Sequence, residues 1–240
     1  LTCRACEYVC PSKVSYGKLV DQARAKILSA SIKKTDSATK LRSWLEQQWI
    51  DKPWRIDAMR PFVRLFQQLG LQSLLLRLSF LKGTPFRLLL SKLPPIRYPY
   101  QRWQSFYPAV GKQRGAVGLF LGCIARLIDT ETNRSTIAVL NQLGYDVHIP
   151  AKQTCCGALY QHHGDFSHTA SLLQQNKQFF TNLNLDALIT TASGCGAHLA
   201  ENNGFSIPVM DINQFLAKQD FSQIKFNALP KRVALHHPCT

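Results

Sequence analysis

The sequence predicts an α/β unit on an open parallel sheet in the C-terminal half, preceded by a basic helical N-terminal half. Three observations lead there. Apolar, strand-like runs at Val117–Leu121, Val147–Pro150 and Asp186–Thr191 each run on to a cysteine flanked by glycine. Helix-like periodicity fills the intervals, over Ile137–Leu143 and Ala170–Asn182, and strands alternating with helices build parallel sheets. Charge is also uneven: residues 1–108 hold 19 basic and 6 acidic side chains, whereas 109–240 hold only 10 and 8. With 240 residues, 45% hydrophobic and 18% charged, the chain is long enough for one or two buried cores, and disorder is excluded.

The N-terminal segment carries the first motif, Leu1-Thr2-Cys3-Arg4-Ala5-Cys6-Glu7-Tyr8-Val9-Cys10-Pro11. It reads C-x-x-C-x-x-x-C-P, the last three ligands and the proline of the bacterial ferredoxin run. Cys3 and Cys6 then ligate one 4Fe-4S cluster and Cys10 a second, the remaining ligands lying upstream. A zinc knuckle is the alternative, disfavoured because no second C-x-x-C pair follows. Beginning at Leu1 and ending on Cys239-Thr240, the sequence reads as an internal piece of a longer chain.

Residues 22–110 follow as a basic helical linker region containing all four tryptophans, Trp44, Trp49, Trp54 and Trp103. Ser37 through Ile50 reads as a helix broken at Pro53, and residues 59–93 repeat apolar side chains at helical spacing. Gly83-Thr84-Pro85 interrupts that pattern, and Pro94, Pro95 and Pro99 mark a linker. No run of 18 uncharged apolar residues exists to span a bilayer. Three readings of this basic amphipathic segment stay open: an anionic membrane surface, a partner subunit, or a solvated connector with snorkelling lysines. At a pI of about 9.7 nucleic acid is a further possible partner, but no recognition motif supports it.

Residues 111–230 hold the second constellation. Cys123 ends the first strand-like run; after 31 intervening residues comes Cys155-Cys156-Gly157, and after 38 more, Cys195. In an open α/β sheet the carboxyl ends of the strands form the ligand crevice, so thiols distant in sequence converge there. Four inert core cysteines are the plainer alternative. A disulfide framework does not suit these spacings, since adjacent Cys155 and Cys156 would close a strained ring. Val117-x-Leu119-x-x-x-Cys123 recurs as Val233-x-Leu235-x-x-x-Cys239, 116 residues on. Residues 231–240 are therefore expected to open a second, truncated copy of the domain with Cys239 as its first ligand.

Cys-x(31)-Cys-Cys-Gly, a later lone Cys and a second copy together resemble the cysteine-rich CCG domain of heterodisulfide reductase and its relatives. A two-cluster ferredoxin domain followed by such domains resembles the iron–sulfur subunits of bacterial 2-hydroxyacid and glycerol-3-phosphate dehydrogenases. The wording Leu1–Glu7, Thr191-Ala192-Ser193-Gly194-Cys195-Gly196-Ala197 and His237-Pro238-Cys239-Thr240 is most similar to the glycolate oxidase (glycolate dehydrogenase) type. The resemblance implies an electron-transfer subunit that receives electrons from a separate flavin-containing subunit oxidising glycolate, and passes them to an acceptor such as a quinone. It further implies a cytoplasmic location, peripheral to the inner face of the cell membrane. A thiol–disulfide reductase of the heterodisulfide type, or a lactate or glycerol-3-phosphate system, is the alternative. The full CCG pattern carries C-x-x-C at its third strand tip, where this chain has Ala192. Cys123, Cys155, Cys156 and Cys195 remain, enough for one four-iron cluster or a tetrahedral zinc. His198 is a possible substitute ligand, though a partly exposed structural histidine is the expectation. His148, His162, His163, His168 and His236 are expected at the surface or in turns, and His237 beside a cluster ligand.

Overall fold

Residues 5–31, 37–79, 83–93, 102–202 and 204–222, with short stretches as far as 234, are described by the computed structural model. Cys3, the proline linker, His236, His237 and the Val233–Cys239 repeat lie outside the described residues.

Strand β2 (Gly115–Phe120) organises the C-terminal half. Its side chains alternate between two layers because successive strand residues point to opposite faces. Val117, Leu119 and the following Leu121 join one apolar cluster, while Ala116 and Phe120 join the other. Parallel neighbours flank it: β3 (Tyr145–His148) on one side and β4 (Ala187–Thr190) on the other. Beyond β4 lies β5 (Val209–Asp211), also parallel. The other edge is closed by the two-residue β1 (Phe106–Tyr107), antiparallel to β3. The order β1-β3-β2-β4-β5 makes the sheet mixed at one edge, where an all-parallel sheet was expected.

Helices coat both faces. The segment α7 (Ile124–Ile128) and α8 (Thr130–Gln142) connects β2 to β3, and α12 (Ile212–Leu216) follows β5. Ile137, Leu140, Ile212 and Phe215 from α8 and α12 bury with Val117, Leu119, Val147 and Ile189. On the opposite face α9 (Ala158–His163), α10 (Phe166–Thr181) and α11 (Ser193–Glu201) supply Tyr160, Leu172, Phe180 and Leu199. Helix α8 starts seven residues before the predicted Ile137, because Thr130, Asn133 and Thr136 are buried despite their polarity. Helix α10 starts before the predicted Ala170 because the Asp165 carboxylate accepts the His168 amide at 3.0 Å. Gly118 leaves space over β2 for the Phe180 ring, which a Cβ would approach to 2.9 Å.

The basic half is helical as expected and lies on the α9–α10 side of the sheet. It comprises α1 (Ala5–Tyr8), α2 (Tyr16–Ser31), α3 (Ser37–Trp49), α4 (Pro53–Gln68), α5 (Leu71–Arg77) and α6 (Pro85–Lys92). Pro53 opens α4 rather than merely ending α3, its fixed φ suiting a first helical position. Helix α2 meets α9: Arg24 donates to the His162 carbonyl at 2.8 Å, and buried Asp21 faces His162 Nδ1 at 3.3 Å. In the α3–α4 turn, Asp51 accepts from the Tyr160 hydroxyl at 3.0 Å and faces His168 Nε2 at 2.6 Å. Burial pushes the Asp51 carboxyl up, opposed by these hydrogen bonds from His168 and Tyr160. Asp57 of α4 faces the Arg126 guanidinium of α7 at 3.5 Å. His162 and His168, expected as surface or turn residues, instead join the two halves of the chain.

Phe180→Ala should cost about 3–5 kcal/mol, and Gly118→Ala about 1–3 kcal/mol by overpacking, both read from denaturant unfolding. Asp51→Ala leaves the buried Tyr160 hydroxyl without its acceptor. It should cost about 1–3 kcal/mol and increase limited proteolysis between α3 and α6, while Tyr160→Phe costs less.

Candidate metal centre

The chain reverses its direction of winding at β2. From β2 it crosses to β3 on one side, and from β3 it returns past β2 to β4 on the other. Loops leaving the carboxyl ends of β2 and β4 therefore diverge and leave a crevice. Cys123 sits three residues beyond β2 and immediately before α7. Cys155 and Cys156 end the loop after β3 and precede α9. Cys195 lies in the first turn of α11, after β4.

The structure brings these four thiols together. Cys123 Sγ lies 3.6 Å from Cys155 Sγ, and Cys156 Sγ 3.4 Å from Cys195 Sγ. Cys155 and Cys156 also interact through their side chains, so the sulfurs form a continuous chain of contacts. Cys155 and Cys156 are only 2% and 3% exposed, Cys123 is buried and Cys195 half-buried. The apolar cluster around them contains Phe120, Leu188 and Leu199 from the α/β half and Ile56 from α4, with Ile50 packed against it. The docked α3–α4 corner thus helps to wall the sulfur pocket.

Backbone geometry aims the loops. Gly157 enters α9 at φ +90°, a conformation that side chains disfavour, and its amide donates to Cys155 Sγ at 3.5 Å. Gly122 turns at φ +70°, and its missing side chain keeps the space 3.8 Å from Cys195 Sγ clear. The Ile124 and Ala158 amides likewise donate to the Cys123 and Cys156 sulfurs. Helix starts concentrate unpaired N–H groups, and these favour negative charge on sulfur.

Two polar side chains that no motif singled out hold the Cys155-Cys156 loop. Gln153 is fully buried; its Oε1 accepts the Leu121 amide at 2.8 Å, and its Nε2 donates to the Pro150 carbonyl at 3.2 Å. It ties the loop after β3 to the end of β2. Asn176 of α10 accepts the Thr154 amide at 2.8 Å and donates to the Cys155 carbonyl at 2.9 Å. Both sit beside other polar residues, in Lys152-Gln153-Thr154 and Gln174-Gln175-Asn176-Lys177, so nothing in the sequence marks either one.

As neutral thiols Cys123, Cys155 and Cys156 are hard to ionise. Contact with the Cys155 sulfur and burial push the Cys123 thiol up. Cys155 is lowered by Cys123 but raised by Cys156 and by burial, and stands at about 12. Cys156 is lowered by Cys155 and raised by Cys195 and burial, with a net rise. Among the described residues, no three His, Cys, Asp or Glu side chains are arranged to hold a single ion. The donor set nonetheless fits a thiolate-bound metal. Three of its four soft ligands carry backbone amide donors, and a metal's positive charge is what deprotonates such thiols.

His198 lies one turn beyond Cys195 in α11 and is 5% exposed, so the expectation of a partly exposed histidine is corrected. Its ring Nδ1 lies 3.4 Å from the Asn202 side-chain amide. Of the N-terminal motif, Cys6 is exposed in α1 and Cys10 half-buried in the turn that follows. Neither is among the four gathered sulfurs. Cys3 and Cys239 lie outside the described residues.

Comparison with known proteins places this geometry. Residues 117–200, which include all four gathered cysteines, match the model of the CCG cysteine-rich domain. The chain is 34% identical over 84% of its length to a probable glycolate oxidase iron–sulfur subunit of Bacillus subtilis, covering 46% of that protein. It is 27% identical over its whole length to the glycolate oxidase iron–sulfur subunit of Escherichia coli, covering 58%. Over 57% of its length it is 30% identical to one subunit of the fumarate reductase (CoM/CoB) of Methanothermobacter marburgensis, covering 28% of that relative. The chain thus spans about half the length of the glycolate oxidase relatives it matches. No solved structure matches it. Residues 117–200 are thus similar to the CCG cysteine-rich domain, in a chain similar to iron–sulfur subunits of glycolate oxidase.

Proposed function

We propose that this chain is the iron–sulfur electron-transfer subunit of a flavin-dependent glycolate oxidase or dehydrogenase complex. The observation that carries the reading is the meeting of Cys123, Cys155, Cys156 and Cys195 at the carboxyl edge of the sheet. Homology to proteins named as iron–sulfur subunits of glycolate oxidase supports it. In this reading residues 1–21 end a ferredoxin-type domain, with Cys3 and Cys6 on one 4Fe-4S cluster and Cys10 on a second. Residues 22–110 form a helical segment, 111–230 the first CCG domain with a cluster or zinc on its four cysteines, and 231–240 the start of a second, with Cys239 a ligand there.

When bound, iron–sulfur clusters carry electrons singly, dividing a two-electron oxidation at the flavin into steps that an acceptor such as a quinone can take. The protein's own residues supply the surroundings. Gly157, Ile124 and Ala158 amides donate to the sulfurs, Gln153 and Asn176 hold the loop, and Ile56 and Phe120 exclude water. In this reading the substrate is oxidised in a separate flavin-containing subunit. Choice among glycolate, lactate and other hydroxy acids then belongs to that subunit.

A second reading is thiol–disulfide chemistry at the same pocket, favoured by the two close sulfur pairs. Burial of three of the four thiols counts against access by a substrate disulfide, and the raised thiol of Cys155 counts against attack on one.

Protein purified anaerobically should contain iron and acid-labile sulfide and show cluster EPR signals on reduction. Iron-free, zinc-loaded native protein overturns the proposal. Cys155→Ser should remove the signal of the CCG site while sparing the N-terminal clusters. Asn176→Ala should lower stability by about 1–3 kcal/mol and reduce metal retention at that site, because the loop loses both its donor and its acceptor. Spectra shifted by added disulfides would favour the second reading instead.

A further inference from the structure

The four sulfurs are not held alike. Cys123, Cys155 and Cys156 are buried, and each accepts a backbone amide, from Ile124, Gly157 and Ala158 respectively. Cys195 is half-buried. Among the described residues its Sγ meets the Cys156 sulfur at 3.4 Å and no backbone amide. Hydrogen bonds to a ligand and its loop fix its position, and access to a thiol sets how readily it reacts, so both differences make Cys195 the least secured of the four.

The turn that carries it is also loosely built. Gln153 and Asn176 brace the Cys155-Cys156 loop from within. Helix α11 instead begins at Ala192, whose side chain makes no capping bond, and the nearby tie from the Thr191 hydroxyl to Asn133 at 2.9 Å lies before the turn. Glycines stand on both sides of Cys195, for different reasons. At Gly196 a Cβ would press on the Thr190 hydroxyl oxygen at 2.5 Å, so packing requires glycine. At exposed Gly194 a Cβ would meet nothing within 4 Å, and the backbone is not left-handed there. Neither space nor backbone shape demands glycine at 194. What it supplies is chain freedom, which lets a helical turn open more often than alanine would.

We propose that Cys195 is the exchangeable corner of the sulfur centre. The first turn of α11, Ser193–Gly196, opens as a hinge; metal enters and leaves past it, and its thiol is the one that a soft electrophile reaches. This rests on the reading of the four cysteines as metal ligands, whereas the order of thiol reactivity does not depend on which metal they hold.

The test uses full-length protein purified anaerobically and mixed with a chelator, a ferrous one for iron or EDTA for zinc. Short pulses of iodoacetamide follow: the cysteine sulfur bonds to carbon, iodide leaves and the thiol proton passes to solvent. Labelled positions are mapped by peptide mass spectrometry while released metal is followed by absorbance. Among the four, Cys195 should be labelled at least about tenfold faster than the others, and metal release should keep pace with it. Gly194→Ala should slow both about two- to fivefold, the ratio set by the glycine-to-alanine difference in helix stability, without lowering the unfolding midpoint. Simultaneous labelling of all four overturns the proposal, as does labelling of Cys123, Cys155 or Cys156 as early as Cys195. So does a Gly194→Ala variant with both rates unchanged. Native protein that holds no metal, with Cys195 still labelled first and more slowly in Gly194→Ala, overturns the reading of function and not the hinge.

Discussion

Four thiols held in contact inside an apolar pocket are the constraint around which the rest of the structure is arranged. Each sulfur reaches that point from a loop at the carboxyl edge of one sheet, so strand register and loop path must both be right for any pair to meet. Parallel pairing sets the register, with Val117 opposite both Val147 and Ala187. The loop paths rest on turns at Gly122 and Gly157 and on the amide side chains of Gln153 and Asn176. Burial makes the arrangement unfavourable to charge. A thiolate there needs the backbone N–H groups at the helix starts and the positive charge of a metal.

The basic half of the chain is tied to this centre rather than strung beside it. Ile50 and Ile56 complete the apolar wall around the cysteines, and Asp21, Asp51 and Asp57 make polar joints to α9, α10 and α7. Three of the few acids in the first 108 residues are thus used internally to hold the helices on the α/β unit. What remains outward is a surface rich in cations and apolar side chains. One face of the helical segment therefore contributes to shielding the sulfur pocket while the opposite face is left to meet something else.

Much of the fold was legible because apolar periodicity survives wherever an element is buried. The strands at Val117, Val147 and Ala187 announced themselves as short apolar runs, and the repeated placement of cysteine after each pointed to the carboxyl edge. Helix limits were less legible. The first half of α8 buries Thr130, Asn133 and Thr136, so hydrophobicity did not show it, and α10 gained a turn from the Asp165 cap. His198 was misjudged for a similar reason: a polar residue carries no local mark of the tertiary contacts that bury it.

The spacing of cysteines and glycines after three strands determined the type of fold, the identity of the gathered thiols and the soft-ligand chemistry they offer. These are properties of short segments, set by backbone sterics and by the period of the side chains. Tertiary structure alone decided that Asp51 would meet Tyr160 and His168, that Gln153 and Asn176 would hold the thiol-bearing loop, and that α4 would turn Arg60 inward and Phe62 outward. Those outcomes depend on contacts between residues far apart in the chain, and packing across such distances leaves no periodic trace in the order of the amino acids.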